Sequence, residues 1–165
     1  MMQGNTAGAA VRRFAGGSLF AVAALGGAGT GLGLVTTFSG TGDWNDPARW
    51  SDGVPGDGDD AVVAGTATNT GSTAFLNAYT LNAGAIHVFT GTNTFLYATN
   101  VVVSGTLTHA PNTATASIDG VWYPDNRLQI VAASNVTVAA GGKIDADGKG
   151  YRCRLKANGY GPGGT

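Results

Sequence analysis

Between residues 61 and 144 apolar side chains recur at alternate positions in short runs, and the runs are punctuated by glycine. Ala61-Val62-Val63-Ala64-Gly65, Thr80-Leu81-Asn82-Ala83-Gly84, Val101-Val102-Val103-Ser104-Gly105 and Thr137-Val138-Ala139-Ala140-Gly141 share a strand-like segment, a Gly and a resumed apolar position. A period of two places one set of side chains inside and the other in water. Glycines 65, 84 and 105 lie 19 and 21 residues apart, and 141 follows after a further 36. A period near twenty is the trace that stacked turns of a solenoid leave in a sequence, and the long third interval is one period plus an inserted loop. The predicted core draws on Phe75, Leu76, Tyr79, Leu81, Ile86, Val88, Phe89, Phe95, Leu96, Val101, Val103, Leu107, Leu128, Ile130, Val136, Val138 and Ile144.

The inserted loop, at about residues 109–127, carries Trp122 and Tyr123 beside Asp125, Asn126 and Arg127. Loops thrown out from a regular scaffold vary without disturbing it, and recognition concentrates there. An aromatic face for a sugar's C–H surface, with polar groups for its hydroxyls, makes these five residues a candidate carbohydrate contact. The competing expectation is that the two rings fold back and cover the side of the scaffold.

Composition agrees with strands and turns. Charged residues make up 12% of the chain, all ten acidic residues are Asp, and Gly, Ala, Thr and Asn fill the positions that Glu, Lys and Leu take in helical proteins. Thr and Val favour pleated surfaces, while Gly, Asn and Asp favour the turns between them. A net charge of −1 gives no electrostatic ground for nucleic acid or an anionic membrane as partner. With one cysteine, Cys153, the chain can form no internal disulfide and no cysteine-built zinc site.

At the front, Arg12-Arg13 precede an apolar stretch over residues 14–25 and then a glycine-rich run to Gly33. That layout predicts an export signal over residues 1–35, with an apolar stretch too short to span a bilayer. Residues 36–60 are expected to form an N-terminal cap. Trp44 and Trp50 flank Asn45-Asp46-Pro47 turn chemistry, and two indoles burying on the order of 150–250 Å² each would shield the open end of a stack.

Trp44-Asn45-Asp46-Pro47-Ala48-Arg49-Trp50-Ser51, then Val54-Pro55-Gly56 and Asp59-Asp60-Ala61-Val62-Val63, resemble the N-terminal pattern of large bacterial autotransporter-type and adhesin-like surface proteins. Gly141-Gly142-Lys143-Ile144-Asp145-Ala146-Asp147-Gly148-Lys149-Gly150-Tyr151 is similar to a glycine-rich turn in the same kind of protein. The resemblance covers residues 38–151 and implies an all-β, right-handed parallel β-helix whose first turns follow the tryptophan segment, with rungs over residues 61–151. After Tyr151 the chain departs from that pattern with Arg152-Cys153-Arg154-Leu155-Lys156-Ala157 before glycines return, so residues 152–165 are read as an irregular, Gly-rich end of an incomplete solenoid.

Asp57, Asp59 and Asp60 crowd together, as do Asp145 and Asp147, and such clusters at turns are raw material for calcium sites. The second cluster lacks the third acidic position and the closing Glu of an EF-hand, so solvated turn aspartates are the alternative. His87, between Ile86 and Val88, is expected to face water or a neighbouring Thr, and His109 begins the insertion. Neither accompanies a nucleophile motif, and no cofactor fingerprint is present.

The expected protein is therefore a non-catalytic structural or adhesive segment of an exported bacterial surface protein, secreted or associated with the outer membrane, without membrane insertion of the mature segment. Its expected partners are extracellular polysaccharide or a host or matrix surface, and further solenoid is expected after it. The alternatives are a carbohydrate-binding or polysaccharide-degrading β-helix whose active surface lies beyond residue 165, and a free-standing β-sandwich binding module.

Overall fold

The computed structural model describes residues 33–114 and 117–151 of the chain. Ten strands account for the regular structure: β1 (Val35–Phe38), β2 (Thr41–Asp43), β3 (Asp60–Val63), β4 (Thr66–Asn69), β5 (Leu76–Leu81), β6 (Ile86–Phe89), β7 (Phe95–Val103), β8 (Thr106–His109), β9 (Gln129–Val138) and β10 (Lys143–Asp145). A single 3-10 turn, Pro47–Arg49, is capped by Asp46, whose carboxylate accepts from the Ala48 N–H.

The strands sort by parity. Odd-numbered strands form one sheet in the order β1-β3-β5-β7-β9, and even-numbered strands form the other in the order β2-β4-β6-β8-β10. Every pairing within them is parallel. This is an all-β fold on two five-stranded parallel sheets, and the chain crosses from the first to the second after each odd strand. An antiparallel sandwich, the second alternative, is excluded for these residues.

In-register pairing lines up side chains in columns. Phe38, Val63, Leu81, Val103 and Val138 follow one another across the first sheet. Ala67, His87, Leu107 and Ile144 do so across the second. The first four members of the first column and the first three of the second are fully buried. Each buried aliphatic side chain contributes about 1.5–3 kcal/mol relative to exposure, so the columns are the main source of stability.

Each crossing from the first sheet to the second is a short corner of two or four residues. Its carbonyl ladder runs from Thr66 N–H to Gly40 O, Ile86 N–H to Gly65 O, Thr106 N–H to Ala85 O and Lys143 N–H to Gly105 O. The residues in equivalent places are thus Gly40, Gly65, Ala85 and Gly105, with Gly142 next; Gly84 and Gly141 stand one residue earlier. Those two adopt left-handed φ of 77° and 83° in corners longer by two residues. Gly65, Gly105 and Gly142 serve a different need, because a Cβ there would run into the carbonyls of Gly40, Ala85 and Val103 respectively. The corners are where the backbone of one strand pair lies closest to the next.

Three expectations are corrected. The strand series begins at Val35, ahead of the tryptophans, since β1 and β2 already occupy the edges of the two sheets. In β6, Phe89 is buried as expected, but His87 lies on its face in the core and Ile86 is exposed, the reverse of what was expected of those two. Phe75, Val136, Val138 and Ile144 are likewise exposed rather than in the core, the last three because they belong to the last strand of each sheet. Beta-branched Ile86 and Val88 favour a pleated strand on either face, so propensity could not set the phase.

Candidate functional site

The connection between β8 and β9 is the longest in the described fold, and it brings the sequence-predicted sugar-binding residues to one region. It contains a tight hairpin in which Ile118 and Val121 exchange backbone hydrogen bonds of 2.9 and 2.8 Å around Asp119 and Gly120. Both central residues have positive φ, 51° and 77°, as a type I′ turn requires. Asp-Gly supplies that geometry at little strain.

Asn126 pins the connection to the fold. Its Oδ1 accepts from the Gly91 N–H at 2.7 Å, its backbone N–H donates to Asn112 Oδ1 at 2.8 Å, and its Nδ2 donates to the Pro111 carbonyl at 3.0 Å. Buried Asn112 in turn donates from Nδ2 to the Lys149 carbonyl at 3.0 Å. Asp125 Oδ2 accepts from both the hydroxyl and the N–H of Thr113, each at 2.7 Å, and these bonds hold its carboxyl below the usual range. Trp122 is half-buried and meets Tyr151 edge-on at 6.0 Å, while the Tyr151 hydroxyl donates to the Trp122 carbonyl. Tyr123 and the Arg127 side chain face solvent. The five predicted residues are therefore neighbours along one connection with unlike tasks: Asn126 and Asp125 hold the loop's shape, Trp122 packs inward on Tyr151, and Tyr123 and Arg127 point outward.

The turn aspartates act as backbone anchors. Asp57 Oδ1 accepts from the Phe75 N–H at 2.8 Å. Asp59 takes the N–H groups of Leu34 and Gly56, each at 2.8 Å. Asp60 Oδ1 receives Asn77 Nδ2 at 2.7 Å. Asp145 pairs with Lys143 at 2.9 Å and accepts from the Asp147 N–H at 3.0 Å, which lowers its carboxyl, the lysine bond having the larger effect. Asp147 is exposed. Among the described residues no three His, Cys, Asp or Glu side chains converge as a metal site would require.

One cluster was not legible beforehand. Trp44 lies flat on His87, with ring centroids 4.9 Å apart and planes 1° from parallel. The Tyr79 hydroxyl and His87 Nδ1 share a 2.8 Å hydrogen bond, and Phe89 packs on the other part of the ring at 4.5 Å. All four side chains are buried, and burial lowers the His87 pKa to about 3 while raising that of Tyr79. Neutral His87 thus fills a core position, and its Nε2 has no hydrogen-bond partner among the described residues. In register, its neighbour on β4 is the small, fully buried Ala67. The signal was present only as an alternation whose phase sequence could not assign.

Comparison with protein-family models, with curated proteins and with solved structures found no match for this chain. Its function must be read from its own geometry. Among the described residues no helix is long and apolar enough to cross a membrane.

Proposed function

We propose that the chain is a non-catalytic structural or adhesive segment of an exported bacterial surface protein, built as a right-handed parallel β-helix. The observation that carries this reading is the strand order: consecutive strands alternate between two parallel sheets, so that each odd–even pair adds one layer to a common core. Parallel crossovers within a sheet are right-handed in about 98% of cases, which gives the expected hand. A scaffold of this kind presents long, regular outer faces and tolerates a projecting connection such as the one before β9. Export rests on Arg12-Arg13 and the apolar stretch after them, which lie outside the described residues, and on the resemblance of the tryptophan segment to autotransporter-type proteins.

Carbohydrate recognition is a second reading, favoured by aromatic side chains on the outer face of the first sheet. Phe95 and Tyr97 stack at 5.3 Å with planes 19° apart, and Phe75 is exposed. Their ring faces offer flat apolar surface to a sugar ring.

Antibody labelling of intact producing cells tests the first reading. Surface labelling without permeabilisation is expected, together with weaker adhesion of cells lacking the protein. Labelling only after permeabilisation would sink it. Retention of the purified chain on immobilised polysaccharide, lost in Tyr97→Ala, would support the second.

A further inference from the structure

Along β7, Leu96 and Ala98 are buried, so Phe95 and Tyr97 point to the outer side of the first sheet. Leu76 is the register partner of Ala98, and Tyr97 is that of Val131. Phe75, Tyr97 and Val131 therefore form one outward column over three neighbouring strands. Phe75 is 46% and Val131 42% exposed. Phe95 stacks on Tyr97 at 5.3 Å and steadies that ring. With strands about 4.8 Å apart, the column is about 10 Å long.

Beside this column the alternation of β7 skips a step. Ala98 and Val101 are both buried, and β9 has one residue more than β7 between the register pairs Ala98–Ala132 and Asn100–Asn135. Such a bulge re-aims side chains, and here it brings Asn100 and Asn135 to the outer side as partners, with Asn135 Nδ2 donating to Asn100 Oδ1 at 3.3 Å. On β5 the exposed Asn77 adjoins Ala78, the partner of Asn100. An amide both donates and accepts, as a sugar hydroxyl does. A row of amides thus borders an apolar column.

Charge narrows the ligand. β1, β3, β5, β7 and β9 contain no Lys or Arg, and their one acidic residue is Asp60, bonded to Asn77 Nδ2 at 2.7 Å. Asp57 also adjoins the column, its Oδ1 accepting from the Phe75 N–H at 2.8 Å. Two carboxylates at one margin, with no cation on the strands, repel uronate, sulfate and phosphate groups and leave them unneutralised. A neutral sugar escapes that penalty and covers aromatic faces with its C–H surface. A second copy of the chain is a poor occupant, since a column about 10 Å long falls well short of the roughly 800 Å² per partner of a stable complex.

We propose that this face binds a neutral, linear polysaccharide lying across the strands, with sugar rings on Phe75, Tyr97 and Val131 and hydroxyls on Asn77, Asn100 and Asn135. The inference rests on the carbohydrate reading above and deepens it by naming the polymer's charge, its direction and the amides that meet it.

Native electrophoresis of the full chain tests it, in gels containing a soluble neutral β-glucan, a galactomannan or the acidic polygalacturonate. A neutral gel should retard the chain, and polygalacturonate should not. Phe75→Ala and Tyr97→Ala should each weaken the neutral interaction roughly tenfold, whereas Tyr97→Phe, which keeps the ring, should preserve most of it. Thr37→Ala, on β1 away from the column, should change nothing. Circular dichroism matching the unsubstituted chain confirms that each variant is folded. Polygalacturonate retarding the chain as strongly as the neutral gels overturns this inference and leaves carbohydrate recognition standing. Neutral retardation that survives both alanine variants does the same, by moving the site elsewhere. No retardation in any of the three gels overturns the inference and the carbohydrate reading together. A concentration-dependent dimer broken by Tyr97→Ala would assign the face to a second copy and overturn the proposal.

Discussion

The two ends of the paired sheets solve the same problem differently. At the first end the chain folds back antiparallel along β1: the Ser39 N–H donates to the Arg49 carbonyl at 2.9 Å, the Ser51 N–H donates to the Thr37 carbonyl at 3.0 Å, and Phe38 bridges Trp50. Trp50 then donates from its indole N–H to the Trp44 carbonyl at 2.6 Å and meets both Trp44 and Phe38 edge-on, at 4.7 and 5.3 Å. At the last end β9 offers an uncharged edge and half-exposed valines. Parallel pairing alone leaves an open edge at either end of a sheet, and among the described residues a segment of different character covers that edge at the first end only.

The largest test of this contrast is Trp44→Ala. The indole covers His87 and supports Trp50, and its loss leaves a cavity between the sheets' first layers, so unfolding in denaturant should register a loss of about 3–5 kcal/mol. A loss below 1 kcal/mol would mean that the closed end does not depend on the tryptophans.

Acidification tests the same end through His87. Its folded pKa is about 3, against 6.5 for the exposed group, because burial disfavours the charged ring. Between those values the unfolded chain binds the extra proton, so stability is complete above pH 6.5 and falls as pH drops toward 3, by at most about 1.4 kcal/mol per pH unit. His87→Phe should flatten that part of the profile. An unchanged slope would move the acid sensitivity elsewhere.

Between the ends, the corners offer a smaller comparison. Gly105→Ala pushes a Cβ into the carbonyl oxygens of Asn82 and Ala85, and thermal unfolding should show a destabilisation of about 1–3 kcal/mol. Gly148→Ala, with open space around its Cβ and only its left-handed φ of 64° to oppose it, should cost about 1 kcal/mol. A reversed order would show that the corner can spread.

What was legible in sequence divides along the same physical line. Alternation and glycine spacing revealed strands and corners because both are local: Val101 and Val103 enter the core as their pattern implies. The glycine alignment was one residue out at Gly84 and Gly141, since local spacing cannot distinguish a left-handed turn from a position squeezed by a neighbouring carbonyl. His87 was misplaced because a strand carrying Ile and Val on one face and His and Phe on the other has no phase until Trp44 arrives from 43 residues away. In the loop, Trp122 and Asp125 could be named as notable residues, but Thr113 and Tyr151, which decide what they do, are distant in sequence.

The smallest expected effect is the most informative about the open end. Val103→Thr and Val138→Thr change the same column by the same atoms, one in a closed layer and one at its uncovered terminus. The buried hydroxyl at 103 has no water to bond and should cost about 1–3 kcal/mol. At 138 a half-exposed side chain keeps its hydration if nothing lies over it, so Val138→Thr should change stability by less than about 0.5 kcal/mol. Equal losses at 103 and 138 in denaturant unfolding would show instead that the last member of the column is as enclosed as the others.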